Sequence, residues 1–193
     1  MSNFSMYFPM GVGHIINPDA YDHILFIAAL CLRYTLHNWK QLLVLVTAFT
    51  IGHSVTLALS TFDIITVSRN WTEFFIAITI VVTALNNLWV KDFQFRNKYP
   101  LIYFYALFFG LIHGLGFSTL LKSMLGKGEP VVAQLFYFNV GIEAGQLLIV
   151  AIVLLLSLLI LEKLNANRRR YIVLTSSAIS LFAAAIAIER WPL

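Results

Sequence analysis

Long apolar runs closed by polar or charged residues divide the chain, and five of them stand out, at 42–62, 71–90, 101–121, 133–161 and 171–188. Each supplies the roughly 20 residues that a helix needs to cross a bilayer core, and the run from 133 is long enough to tilt or protrude. A sixth is less obvious, because residues 24–32 are too few alone. Asn17-Pro18, however, has the form of a helix start, with Asn as the cap and Pro at the first helical position. A helix over 18–37 is about 30 Å long at 1.5 Å per residue, enough to span, and carries Asp22 and His23 about one turn inside. Before it, residues 4–16 are apolar but short, with Pro9, Gly11 and Gly13 among them. They read as an interfacial or re-entrant piece rather than a disordered tail. A signal peptide is not indicated, since there is no basic head and no clear cleavage site. The expected fold is therefore all-α and integral to the membrane. One domain over 1–193 forms a bundle of about six transmembrane helices, with the short N-terminal segment beside it.

Composition agrees. Of 193 residues, 60% are hydrophobic and only 11% charged, whereas a soluble domain carries about 25% charged residues. So few charges cannot cover a water-facing surface, and the lipid bilayer is the first expected partner. The single cysteine, Cys31, excludes a disulfide framework and a CxxC metal knot. No basic run interleaves with exposed aromatics, so nucleic acid is not an expected partner. Lys and Arg sit unevenly. Arg33, Lys40, Lys91, Arg96, Lys98, Lys163 and Arg168 to Arg170 follow the first, third and fifth expected helices, against Arg69, Lys122, Lys127 and Arg190 on the other side. Positive charge marks cytoplasmic loops, which puts both termini on the non-cytoplasmic side of the membrane. Trp39, Trp71, Trp89 and Trp191 fall near expected helix ends, where indoles favour the interface.

The chemistry lies in the polar residues within the spans. Ionisable groups are costly in hydrocarbon, so they face the bundle interior and mark function. Here they are His14, Asp22, His23, His53, Glu73, His113 and Glu143, with only His37 among the histidines outside the set. Imidazole and carboxylate together suit a divalent transition metal such as Zn, Ni, Co, Mn or Fe, and the lack of Cys and Met donors disfavours Cu(I). The metal candidates are His14, Asp22, His23, His53, His113 and Glu143. Asn139, Gln146, Thr50 and Ser54 are candidates for the ring of polar groups behind them. Gly110 and Gly114 flank His113, and Gly141 and Gly145 flank Glu143. Such spacing lets helices approach closely and is expected to bring His113 and Glu143 together. A proton relay through the same residues competes with the metal reading, and Glu73, near a helix start, also has a plain role at the positive dipole end.

The segments GVGHIINPDAYDHILFIAAL, LVTAFTIGHSVTLALS, ALFFGLIHGLGFS and FNVGIEAGQLLIV resemble the HupE/UreJ family of membrane proteins, especially its Bacteroidota-type branch. The resemblance implies a nickel or cobalt permease associated with hydrogenase and urease systems. It matches the family's His and Asp-His motif to His14, Asp22 and His23, and its His-Gly motif to His113-Gly114. Two departures stand out. Seven residues separate His14 from Asp22 where the permeases have five, and no Glu follows His113-Gly114, which leaves Glu143 as the candidate substitute.

Three functions follow from these readings. The first is a divalent metal (nickel/cobalt-type) permease. The second is a metal-dependent intramembrane hydrolase with an outward-facing His/carboxylate site, in which Glu143, Glu73 or Asp22 is the candidate base and a lipid or other membrane-anchored molecule the substrate. The third is a non-catalytic metal-binding subunit of a membrane complex. Against transport stands the apolar character of the inner helix halves, a barrier to a bare cation.

Overall fold

The computed structural model describes residues 3–89, 101–124 and 130–192. Lys91, Arg96, Lys98, Lys127 and the last residue of the run 71–90 lie outside them. The described residues form seven helices: α1 (Asn3–Ile16), α2 (Tyr21–Cys31), α3 (Trp39–Thr61), α4 (Arg69–Trp89), α5 (Leu101–Met124), α6 (Val131–Leu158) and α7 (Arg168–Glu189). A single π turn, Leu159–Lys163, extends α6. The five helices from α3 to α7 are long and apolar enough to cross a membrane, and α2 is a shorter apolar helix. This is an all-α membrane bundle. Exposed Leu147, Leu155, Leu174, Leu181 and Ile188 cover its outside, and all four tryptophans are exposed at helix ends, as interfacial indoles should be.

The first crossing differs from the expected helix over 18–37. Asn17-Pro18 does begin a turn, but it is a 3-10 turn, Pro18–Ala20, and α2 starts only at Tyr21. The chain leaves helix again after Cys31. Eleven residues make only about 16 Å of helix, too little to span. The segment 4–16, read as interfacial or re-entrant, is the short helix α1, packed along α6. A Cβ on Gly11 would overlap the Phe138 carbonyl and press on the Ile142 nitrogen, and one on Gly141 would overlap the Phe8 carbonyl and press on Val12. Numbers rise together along both helices, so α1 and α6 run parallel. At its other end α2 is held to α4 by Asn87 Nδ2, which donates to the Ala29 carbonyl (2.7 Å). Tyr21, at the start of α2, packs against the cluster holding Ala77, from the middle of α4. Thus α2 begins at mid-depth where α1 has ended, and the two together make one broken crossing.

The remaining helices are paired by the same device. Gly52 faces the Leu107 carbonyl, while Gly110 faces the Phe49 carbonyl and the His53 nitrogen, so α3 and α5 are parallel and in backbone contact. An ion pair between Lys122 and Asp63 ties their ends. Helix α7 lies along α4. Its Arg169 donates to the terminal α4 carbonyls of Asn87 and Leu88, which have no helical partner of their own. Gly110 and Gly114 of α5 therefore meet α3, and Gly141 and Gly145 of α6 meet α1. They do not bring His113 and Glu143 together.

Candidate metal centre

His23 stands at the start of α2, beside the break. Its Nδ1 is 2.9 Å from Asp22 Oδ1. An ionised carboxylate only accepts, so the proton sits on Nδ1 and Nε2 keeps its lone pair. That Nε2 is buried with no hydrogen-bond partner. A carboxylate behind an imidazole is the arrangement that fixes the tautomer and orientation of a metal-ligating histidine. His113, near the middle of α5, follows the same logic. Thr79 Oγ1 spends its proton on the Ile76 carbonyl (2.7 Å) and lies 3.0 Å from His113 Nε2. The hydroxyl must therefore accept from Nε2, which leaves Nδ1 bare, and that atom too is buried and without a partner.

His14, in the last turn of α1, and His53, on α3, complete the group. Nitrogens of His14, His23 and His53 all lie within 4.8 Å of one another. His14 Nε2 and both nitrogens of His53 are buried and unbonded, and His53 is 0% exposed. Three imidazoles around a tetrahedral cation need nitrogens about 3.3 Å apart at a metal–nitrogen distance near 2.05 Å, so small side-chain rotations close the group on an ion. The bare, buried nitrogens fit a transition-metal cation: unpaired polar atoms cost free energy in a dry interior, and a ligated ion removes that cost. His113 is adjacent, its ring 5.3 Å from that of His23, but it lies outside the group of three whose nitrogens converge.

A cavity of about 540 Å³ leads to this group from the face that carries both termini. Met10, Gly13, Asn17 and Phe117 line it, and Arg69, Glu73, Met124 and Arg190 stand around it. On the opposite side the rings of Phe26 and Phe49, both fully buried, lie 5.0 Å apart and tilted by 35° beneath His113. They form an apolar floor.

A family model described as HupE / UreJ protein matches residues 1–190. The chain belongs to the HupE/UreJ family. No curated protein and no solved structure matches it.

In this HupE/UreJ protein the six expected ligands divide by position. His14, His23 and His53 converge, and His113 borders them. Asp22 lies behind His23, its Oδ1 on that ring and its Oδ2 3.5 Å from Arg190 Nη1, so it orients a donor. Glu143 is held elsewhere, accepting from Thr47 Oγ1 at 2.6 Å on the α3–α6 seam. Beside it Thr50 donates to Gln146 Oε1 at 2.8 Å, and Ser54 donates to the Thr50 carbonyl at 2.7 Å. Asn139 Nδ2 bonds the Leu135 carbonyl, leaving its buried Oδ1 unbonded. Glu73 pairs with Arg69 (2.6 Å) and lies 3.9 Å from Arg190. Two guanidiniums occupy its carboxylate, a poor arrangement for a general base. Sequence reasoning overlooked Thr79 and Arg190. The first was readable as a hydroxyl in mid-helix; the second is a cation just past the last apolar run, indistinguishable there from an ordinary flanking charge.

Proposed function

We propose that this HupE/UreJ protein is a permease for a divalent transition-metal ion of the nickel or cobalt type. In this reading it sits in a bacterial inner membrane with both termini outside the cytoplasm. The observation that carries the proposal is the broken crossing. His14 belongs to one half-helix and His23 to the other, and the gap between them adjoins a histidine cluster near mid-depth. Discontinuous helices with an ion site at their junction are the usual construction of carriers that alternate access. The family's association with nickel and cobalt transport points the same way. Among the described residues, Arg33, Lys40, Lys163 and Arg168 to Arg170 lie at the helix ends opposite the vestibule, which supports the orientation.

The cation enters through the vestibule and exchanges water for imidazole nitrogen. Phe26 and Phe49 block the direct way down. The polar seam of Thr50, Gln146, Thr47 and Glu143, on the far side of His53 from the vestibule, supplies a route around them. Its hydroxyl, amide and carboxylate oxygens can replace water one step at a time as far as the apolar inner halves, which begin at Val46 of α3 and Leu147 of α6 and must part for the ion to leave. A relative movement of α1 and α2 about residues 17–20 is the expected opening motion.

Proteoliposomes holding a metal-sensitive dye test the reading. Nickel or cobalt influx that disappears in His23→Ala is the expected result. Stoichiometric binding with no flux of Ni, Co, Zn or Mn would replace the permease with an intramembrane hydrolase or a metal-holding subunit.

A further inference from the structure

Arg190 occupies an unusual position. It follows the last residue of α7, yet its guanidinium reaches three groups on two other helices. Its Nη1 is 3.5 Å from Asp22 Oδ2, its Nη2 is 3.4 Å from the Tyr21 hydroxyl, and its Nε is 3.9 Å from Glu73 Oε2. The cation also lies 5.8 Å from the Tyr21 ring centroid. None of these contacts is short, and its side chain is 22% exposed on the vestibule wall. The guanidinium is thus shared between two carboxylates. One of them, Glu73, already has a full partner in Arg69 at 2.6 Å. The other, Asp22, is the group that orients His23.

We propose that Arg190 sets how tightly the histidine group holds its cation. Charge that Asp22 gives to Arg190 is withheld from His23, whose Nε2 becomes a weaker donor. The guanidinium also adds a positive charge beside a site meant for a dication. Glu73 works against both effects by drawing Arg190 toward α4. The pair therefore acts as a balance on affinity, with Arg190 favouring release and Glu73 favouring retention. Arg190 is a positioning and tuning residue and touches no ion itself. A carrier needs such a weakening influence, because an ion held too well is not passed on.

This inference rests on the metal-binding reading, and its test separates the two. Nickel, cobalt and zinc binding is measured on the full chain in detergent at neutral pH, for the wild type, Arg190→Gln, Arg190→Lys and Glu73→Gln. A unit charge removed within about 8 Å of a dication changes affinity about fivefold at water-like screening. Arg190→Gln is expected to bind about fivefold tighter and Glu73→Gln to bind more weakly, while Arg190→Lys stays near the wild type. The Arg190→Gln gain should shrink in molar salt, since the vestibule is open to solvent. A merely structural Arg190 predicts weaker binding in every variant, with a parallel loss of thermal stability. Weaker or unchanged binding in Arg190→Gln, against a wild type that binds metal, overturns the inference alone. A wild type that binds none of the three ions overturns the metal reading as well.

Discussion

Gly110→Ala is the sharpest test of how the bundle holds its histidines. On an exposed helix the change would help, because Ala is about 1 kcal/mol better than Gly in helix interiors. At position 110 the new methyl would overlap the Phe49 carbonyl and crowd the His53 nitrogen, both backbone atoms that no side-chain rotation can move. Helices α3 and α5 must then part by about 1 Å, and overpacking of this kind costs about 1–3 kcal/mol. The net expectation is a loss of up to about 2 kcal/mol after the propensity gain. His53 and His113 ride on the two displaced helices, so metal affinity falls with stability, given that such sites tolerate only about 0.5 Å of misplacement. Gly13→Ala is the control. It lies on α1 next to His14, where an added Cβ meets nothing within 4 Å, so it should keep or slightly raise stability. Thermal unfolding in detergent and metal titration of both variants are the assay. A Gly110→Ala protein as stable as the wild type, with unchanged binding, would refute the close α3–α5 contact.

Three further outcomes are expected. His14→Ala, His23→Ala and His53→Ala each lower bound metal at least about tenfold in elemental analysis, while exposed His37→Ala does not. Asp22→Asn, which keeps the shape of the side chain but not its charge, weakens binding about 10- to 100-fold by the same titration; affinity within twofold of the wild type would remove Asp22 from its orienting role. In a Cys31→Ser background, single cysteines at Asn3 and Pro192 react with an impermeant thiol reagent in intact cells and one at Asn165 does not; the reverse pattern would invert the orientation.

The long helices were legible because about 20 apolar residues admit few structures other than a membrane span. The histidines were legible because an ionisable group in hydrocarbon needs a reason to be there. Sequence missed how the work is divided. The reading of 18–37 as one helix assumed that each crossing is made by one continuous element, whereas α1 and α2 share theirs. The glycine spacing announced close contact but not the partner, since pairing α1 with α6 is a long-range choice that local pattern does not encode. Asp22 and Glu143 looked alike as carboxylates near histidines. Only geometry separates the one that steadies His23 from the one that Thr47 holds on another seam.

The parallel pairing of α1 with α6 has a consequence for how the protein is made. Helix α1 is synthesised before α6, yet the groove that receives it belongs to that helix, more than a hundred residues later. With 14 residues, α1 cannot cross the bilayer by itself. It must wait at the surface of the membrane until α6 has been inserted. His23, His53 and His113 can assemble as α2 to α5 enter, and His14 joins them last. Completion of the candidate metal centre would then be a late event in biogenesis, because His14 reaches the other histidines only once α6 is present to receive α1.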